Sequence, residues 1–322
     1  MDKAAIIEML RADMRGEHQA IIQYLNHAYS LESAGVAPDI EAIAREEMRH
    51  LDWLADAITG LGGDPDMGRE KPDLSPAGAQ EQMLKNVDLE QQAIDQYRKH
   101  LEAIDDPEIR RTLARIVHDE EVHQGEFRDL AAKLPAGDEG SEEGEEGASE
   151  RLAEMLNYGV QHEYTVILQY LFHSFVTEDC EEQEELQNAA INEMQHMGWL
   201  SEGLQEEGTQ PTYEHHDLFL SRDPVANLEA DVAIEDEVTR EYSTQIPELP
   251  MEELKAILTR VRDHEIYHAD VFRDLLKEAR ERRDAAAPAC AECEPVEPAP
   301  APEAPCPPAS APPVPPIGSL KS

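Results

Sequence analysis

Along this 322-residue chain a lone Glu, a Glu-x-x-His, a second lone Glu and a second Glu-x-x-His follow one another in fixed order, and the order runs through twice. The first set is Glu17, Glu47 with His50, Glu90, and Glu120 with His123. The second is Glu163, Glu193 with His196, Glu235, and Glu265 with His268. Residues three apart on a helix share a face, so each Glu-x-x-His aims both side chains at one point, where the lone Glu of two further helices meets them. Four carboxylates and two imidazoles converging inside a four-helix bundle form the ligand set of a dinuclear metal centre. The chain is expected to be all-α and to carry two such centres.

Composition alone explains part of the signal: in so acidic a chain about two of the His residues would have a Glu three positions earlier by chance. Four do. The order and its return carry the inference. A shift of 146 superposes Glu17 on Glu163, Gln23-Tyr24-Leu25 on Gln169-Tyr170-Leu171, His27 on His173, Trp53-Leu54 on Trp199-Leu200, and Gly62 and Pro65 on Gly208 and Pro211. A shift of 145 then matches Glu90 and Tyr97 with Glu235 and Tyr242, and Phe127-Arg-Asp-Leu130 with Phe272-Arg-Asp-Leu275. One residue is lost in the loop between the second and third helices. A period this long marks a duplicated domain, not a solenoid repeat.

The expected organisation is a four-helix bundle over 1–135, an acidic flexible linker over 136–149, a second bundle over 150–284, a Pro/Ala-rich disordered segment over 285–316 and a short terminal peptide, 317–322. Apolar periodicity and Gly/Pro punctuation predict helices near 3–34, 38–61, 76–104, 106–134, 148–177, 179–207, 223–246 and 250–284. The linker is too polar to pack, and the Pro/Ala run is extended and semi-rigid.

A net charge of −43 excludes nonspecific nucleic-acid binding and attachment to anionic membranes as default functions and favours cations as ligands. No stretch reaches the length of a membrane span, and Asp2, Glu8 and Asp13 stand where a signal peptide would be apolar, so a cytoplasmic protein is expected. Cys180 is isolated in sequence, while Cys290, Cys293 and Cys306 fall in the tail, where no fold fixes a disulfide.

Four ionised carboxylates in one bundle interior repel each other and lose hydration, so a metal-free site takes up protons or stays strained. Two divalent cations neutralise them. Oxygen-rich sites with one imidazole per metal suit Fe(II), Mn(II) and Zn(II). Glu47 and Glu120, with Glu193 and Glu265, are assigned as carboxylates able to bridge two metals. Glu17 and Glu90, with Glu163 and Glu235, are terminal carboxylates, and the four His are terminal nitrogen ligands. Tyr24 and Tyr170 lie seven residues, two turns, after the first ligand of each set, placed to hydrogen-bond a ligand, to donate an electron, or to pack in the core.

At these residues the chain resembles the ferritin-like superfamily of di-iron carboxylate proteins, over both repeats. Glu-Met-Arg-His at 47–50 with Tyr24 is most similar to bacterioferritin; rubrerythrin and manganese catalase share the plan. The resemblance implies two tandem ferritin-like bundles, two Fe per bundle and so four per chain, with Mn as the other candidate metal. It implies ferroxidase chemistry, in which Fe(II) is oxidised by O2 or H2O2 and Fe(III) is passed on as mineral. Bacterioferritin's haem-ligating Met maps onto Met48 and Met194, although a Met on a helix is more often packing and haem is not expected. The alternatives are a rubrerythrin- or manganese-catalase-like peroxide-consuming protein and a non-catalytic metal buffer; homo-oligomerisation stays open.

The terminal peptide carries a second resemblance. Ile317, Gly318, Ser319, Leu320 and Lys321, after a Pro/Ala linker, look like the cargo-loading peptide that docks proteins inside encapsulin nanocompartments. Ile317 and Leu320 offer two apolar anchors and Gly318 permits close backbone approach. This resemblance implies an encapsulin shell as partner and iron storage inside a nanocompartment.

Overall fold

The computed structural model describes residues 2–31, 35–136 and 149–286. The acidic stretch 137–148, the Pro/Ala segment from 287 onward and the expected docking residues Ile317 to Lys321 lie outside the described residues, as do Cys290, Cys293 and Cys306.

Among the described residues the structure is all helical: α1 Lys3–Ser30, α2 Ala37–Gly60, α3 Ala79–Ala103, α4 Pro107–Lys133, α5 Glu150–Val176, α6 Cys180–Glu206, α7 Pro224–Gln245 and α8 Glu252–Ala286, with a 3-10 turn at Ile246–Glu248 after α7. The sequence periodicity therefore places every helix. The largest differences are at α1, whose last helical residue is Ser30, and at α3, which starts only after Gly78.

Local chemistry sets the ends. Asp106 accepts from the backbone N–H groups of Glu108 and Ile109 at 2.9 and 3.1 Å, with Pro107 in the first turn, and Asp223 caps α7 in the same way ahead of Pro224. Helices α2 and α6 close alike: Gly62 and Gly208 adopt φ of +86° and +69°, the left-handed region open to glycine. The following N–H, of Gly63 or Thr209, returns to the carbonyl of Ile58 or Leu204 at 2.9 Å.

The chain groups into two compact units. Among the described residues, one joins those up to Tyr164 with Gln195–Glu214; the other joins Thr165–Met194 with residues 215–286. In the first, α1 packs on α2, α3 on α4, and α1 on α3. Leu10, Met14, Ile40, Leu54, Met83, Leu113, Ile116 and Phe127 are fully or almost fully buried. The long connection from α2 to α3 is strapped along α1: Arg11 donates to the Asp64 carbonyl, Arg15 pairs with Asp66, His18 meets the Gly68 carbonyl, and Gln23 accepts from the Asp73 N–H. His18 Nε2 also lies 2.6 Å from the Tyr164 hydroxyl, joining two positions that coincide under the shift of 146. Arg69 donates to that hydroxyl at 3.0 Å and to the Tyr213 carbonyl at 2.6 Å.

The second unit is built on α7 and α8 around Val166, Tyr170, Leu186, Ala190, Leu228, Phe272 and Leu275. Gln169 accepts from the Phe219 N–H at 3.0 Å, as Gln23 does from Asp73.

Loss of the α4 cap gives a direct stability test. Asp106→Ala leaves two backbone donors uncapped and is expected to cost about 1 kcal/mol, lowering the melting temperature by about 2–4 °C, whereas Asp106→Asn should keep most of the stability. Thermal denaturation followed by circular dichroism checks both.

Candidate metal centre

The first ligand set converges. Glu17 from α1, Glu47 and His50 from α2 and Glu120 from α4 bring one ligand atom each to within 4.8 Å of one another, and so do Glu47, Glu90 from α3, Glu120 and His123. Glu47 and Glu120 belong to both groups, the position required of carboxylates shared by two cations. All six residues are buried, none more than 4% exposed.

Both imidazoles present Nδ1 to the carboxylates. His50 Nδ1 is 2.8 Å from Glu47, 3.1 Å from Glu120 and 3.7 Å from Glu17; His123 Nδ1 is 3.0 Å from Glu47 and 3.2 Å from Glu120. Glu47 Oε1 and Glu120 Oε1 nevertheless make no well-aligned hydrogen bond. Ligand atoms this close, with two buried carboxylate oxygens left without a hydrogen bond, fit a bound cation.

The second set divides between the two units. In the second unit Glu193, Glu235, Glu265 and His268 gather ligand atoms within 4.8 Å, with His268 Nδ1 at 2.6 Å from Glu193 and 3.4 Å from Glu265. In the first unit His196 Nδ1 lies 3.7 Å from the Glu163 carboxylate. In all four imidazoles Nδ1 is the atom turned to the carboxylates.

A tyrosine brace holds the terminal carboxylates. Tyr24 donates to Glu90 at 2.7 Å, and Tyr97 donates to Glu17. Each Tyr follows one lone Glu by two turns and bonds the other, a reciprocity that requires α1 and α3 to run antiparallel. Tyr170 likewise donates to Glu235. Tyr24 and Tyr170 also pack, on Phe127 and Phe272 with ring centroids 4.7 and 4.9 Å apart, so the same residue serves two of the three roles the sequence suggests for it, core packing and bonding to a ligand residue. Burial, then the charge of the facing carboxylates, pushes the phenols of Tyr24, Tyr97 and Tyr170 well up, which keeps them protonated donors.

The role of Tyr97 was missed in sequence, although its spacing of seven after Glu90 repeats that of Tyr24 after Glu17. Also missed was a buried group next to Glu17: Asp13 accepts from Gln96 at 2.8 Å and pairs with His100 Nδ1 at 2.7 Å. Farther out, Gln23 donates to Asn86 Oδ1, which also faces His27 Nδ1; in the second unit Gln169 and His173 meet Asp231 instead. A cavity of about 190 Å³ reaches from Glu70 and Gln92 past Gly16 to Glu17, Glu47, Glu90 and Glu120. Nothing lies within 4 Å of where a side chain on Gly16 would begin. Of the Met residues singled out in sequence, Met48 is half-buried on α2 and Met194 is buried on α6.

The electrostatics are those of a metal-free acid cluster. Burial, then the charges of their carboxylate neighbours, raises Glu17 and Glu90 well above the usual carboxylate range. Burial opposes ionisation of Glu47 too, but His123 and His50 outweigh it and hold Glu47 low. Burial disfavours the charged imidazoles, yet the surrounding carboxylates win, raising His50 far above its ordinary value and His123 to about 10. Without metal the cluster stores protons on carboxyls and imidazoles.

Metal binding must displace those protons. Zn(II) added to the metal-free chain in weak buffer is expected to release protons, with affinity rising from pH 6 to 8. The raised pKa values of Glu17, Glu90 and His123 all make the folded metal-free state the better proton binder. Its stability should therefore fall as pH rises from about 6.5 through about 10, and bound metal should flatten that slope. Indicator absorbance and denaturation across this range check both; pH-independent binding would contradict the proton store.

Comparison with known proteins bears on this geometry. Residues 7–136 match the ferritin-like domain family. The chain is 28% identical over 138 residues to the bacterioferritin of Desulfovibrio desulfuricans, a match spanning 41% of this chain and 77% of that protein. It is also similar to a solved structure of that bacterioferritin, which describes its diiron site in different catalytic states; the match is 26% identical, covers 46% of this chain and 96% of the other, and has a TM-score of 0.39. The similarity to ferritin-like proteins thus spans the segment that carries the first ligand set.

Proposed function

We propose that this chain is a di-iron ferroxidase that oxidises Fe(II) to Fe(III) for iron storage and detoxification. The observation that carries the reading is the first ligand set: six buried residues converge with two shared carboxylates, and two tyrosines brace the terminal ones. Glu17, Glu47, His50, Glu90, Glu120 and His123 would hold two iron ions, which supply the electron-transfer chemistry toward an oxidant. Tyr24 and Tyr97 keep Glu90 and Glu17 oriented, and Phe127 packs on the Tyr24 ring. The second set, Glu163, Glu193, His196, Glu235, Glu265 and His268, is read as a second dinuclear centre of a duplicated chain, on the strength of its ligand order and its shared Nδ1 orientation.

The terminal peptide Ile317 to Lys321 is read as the anchor that loads the protein into an encapsulin shell, where mineral would be stored. Its support is the sequence pattern: two hydrophobes at the end of a Pro/Ala arm.

Rapid oxidation of Fe(II) by O2 is expected, and Glu120→Ala with Glu265→Ala, removing a shared carboxylate from each set, should bring it near the buffer rate, as followed by stopped-flow absorbance. Peroxide removal much faster than O2-driven oxidation would favour a peroxide-consuming enzyme; metal binding without turnover would favour a buffer. Glu47→Ala with His50→Ala should leave two of four bound metals, measured by elemental analysis.

Deleting residues 317–322 should abolish capture by a co-expressed encapsulin shell while leaving Fe(II) oxidation unchanged. Packaging of the truncated chain at the full-length level would remove the targeting role and leave the ferroxidase reading standing.

A further inference from the structure

Helix α1 carries a glycine in its interior, immediately before the ligand Glu17, and nothing in the fold asks for it. Gly16 lies in an unbroken helical stretch and is not among the glycines of left-handed conformation. Nothing lies within 4 Å of where its side chain would begin, so neither a turn nor a close approach demands the missing Cβ. Glycine at such a position weakens a helix relative to alanine, because it has more backbone freedom to lose on folding. What the missing side chain leaves is space. Ala12, Gly16 and Ala20, four residues apart and so on one face of α1, line the cavity of about 190 Å³ together with Ala93 of α3.

The two ends of that cavity suit a cation. At the outer end stand Glu70 and Gln92, both exposed. The connection between α2 and α3 fixes Glu70 there: its N–H donates to the Arg15 carbonyl at 3.3 Å, and its carboxylate lies 3.5 Å from the Arg15 guanidinium, which also pairs with Asp66. At the inner end Glu47 and Glu120 each keep a buried Oε1 without a well-aligned hydrogen bond. Between them Asp13, almost fully buried, adds a carboxylate to the wall and is held by Gln96 at 2.8 Å and His100 at 2.7 Å. An acidic rim, an acidic wall and open carboxylate oxygens at the end attract cations inward and repel anions. The space exceeds that of a single water, so a cation can pass with part of its hydration.

We propose that this cavity is the passage by which divalent cations reach the first ligand set, and that Gly16 is the residue that sets its width, α1 giving up stability there to keep it open. The proposal rests on the reading of that set as a metal centre. Its signature is kinetic. Entry and exit cross the same barrier, so a side chain that narrows the passage slows both by one factor and leaves the equilibrium between free and bound cation where it was. Damage to the ligands changes the equilibrium itself.

The test uses the full-length metal-free chain and Co(II), whose visible absorption reports its own coordination. The signal of the first set is the part that Glu47→Ala with His50→Ala removes. Stopped-flow mixing gives its rate of uptake, and a chase with excess EDTA gives its rate of loss. Gly16→Ala, Gly16→Leu and Gly16→Phe should slow both rates in order of side-chain size, by about tenfold for Leu, equivalent to ~1.4 kcal/mol on the barrier, with Co(II) affinity and stoichiometry unchanged. Circular dichroism should show a folded chain whose melting temperature rises with Gly16→Ala. Glu70→Lys, at the exposed rim, tests the route without touching helix packing, and should slow uptake several-fold at low salt and less at high salt. Uptake that neither Gly16→Leu nor Glu70→Lys slows overturns the proposal and leaves the metal centre standing, and so does a slowing by Gly16→Leu that comes with an equal loss of affinity. A Co(II) signal that Glu47→Ala with His50→Ala does not diminish overturns both.

Discussion

Four carboxylates held within a few ångströms of each other, out of water, are the constraint around which the first bundle is organised. Such a group is tolerable only with its charge answered, by protons in the metal-free chain or by cations in the loaded one. Residues that look unrelated along the chain meet this demand together. The two imidazoles face inward, the phenols of Tyr24 and Tyr97 donate to Glu90 and Glu17, and Phe127 packs on Tyr24. The acidity of the surface is a separate matter of solvated charge; the ligand carboxylates are the ones buried in the bundle interior.

Helix direction turns this demand into architecture. Reciprocal bonding of Tyr24 to Glu90 and of Tyr97 to Glu17 is possible only with α1 and α3 antiparallel, and that needs the connection from α2 to run back along the bundle. The strap from Asp64 to Asp73 does so, and its backbone groups are satisfied by α1 side chains from Arg11 to Gln23. The same side chains fix the face of α1 that carries Glu17. A loop in this position is part of the cluster's scaffold, and its polar contacts hold the placing of Glu17 as well as the fold.

Variation between the two ligand sets begins just outside the ligands. Asn86 with His27 is replaced by Asp231 with His173, and Glu46 by Asn192, while each Glu and His of the ligand order is retained. Ligand identity decides whether a dinuclear centre can exist.

The sequence by itself determined the helices, the ligand list and its order, because periodicity of 3.6 residues and the i, i+3 pairing of Glu with His are local rules written in linear spacing. Helix ends were nearly as legible wherever Asp-Pro or a left-handed glycine marked them. Tertiary structure alone decided which oxygen meets which nitrogen. The crossing of Tyr97 to Glu17, the pairing of Asp13 with His100, and the placing of Glu46 and Asp119 near His123 and His50 join residues on separate helices far apart in the chain. No local rule relates such positions. Helix packing brings them together, and it also selects Nδ1 as the nitrogen each imidazole offers to a metal.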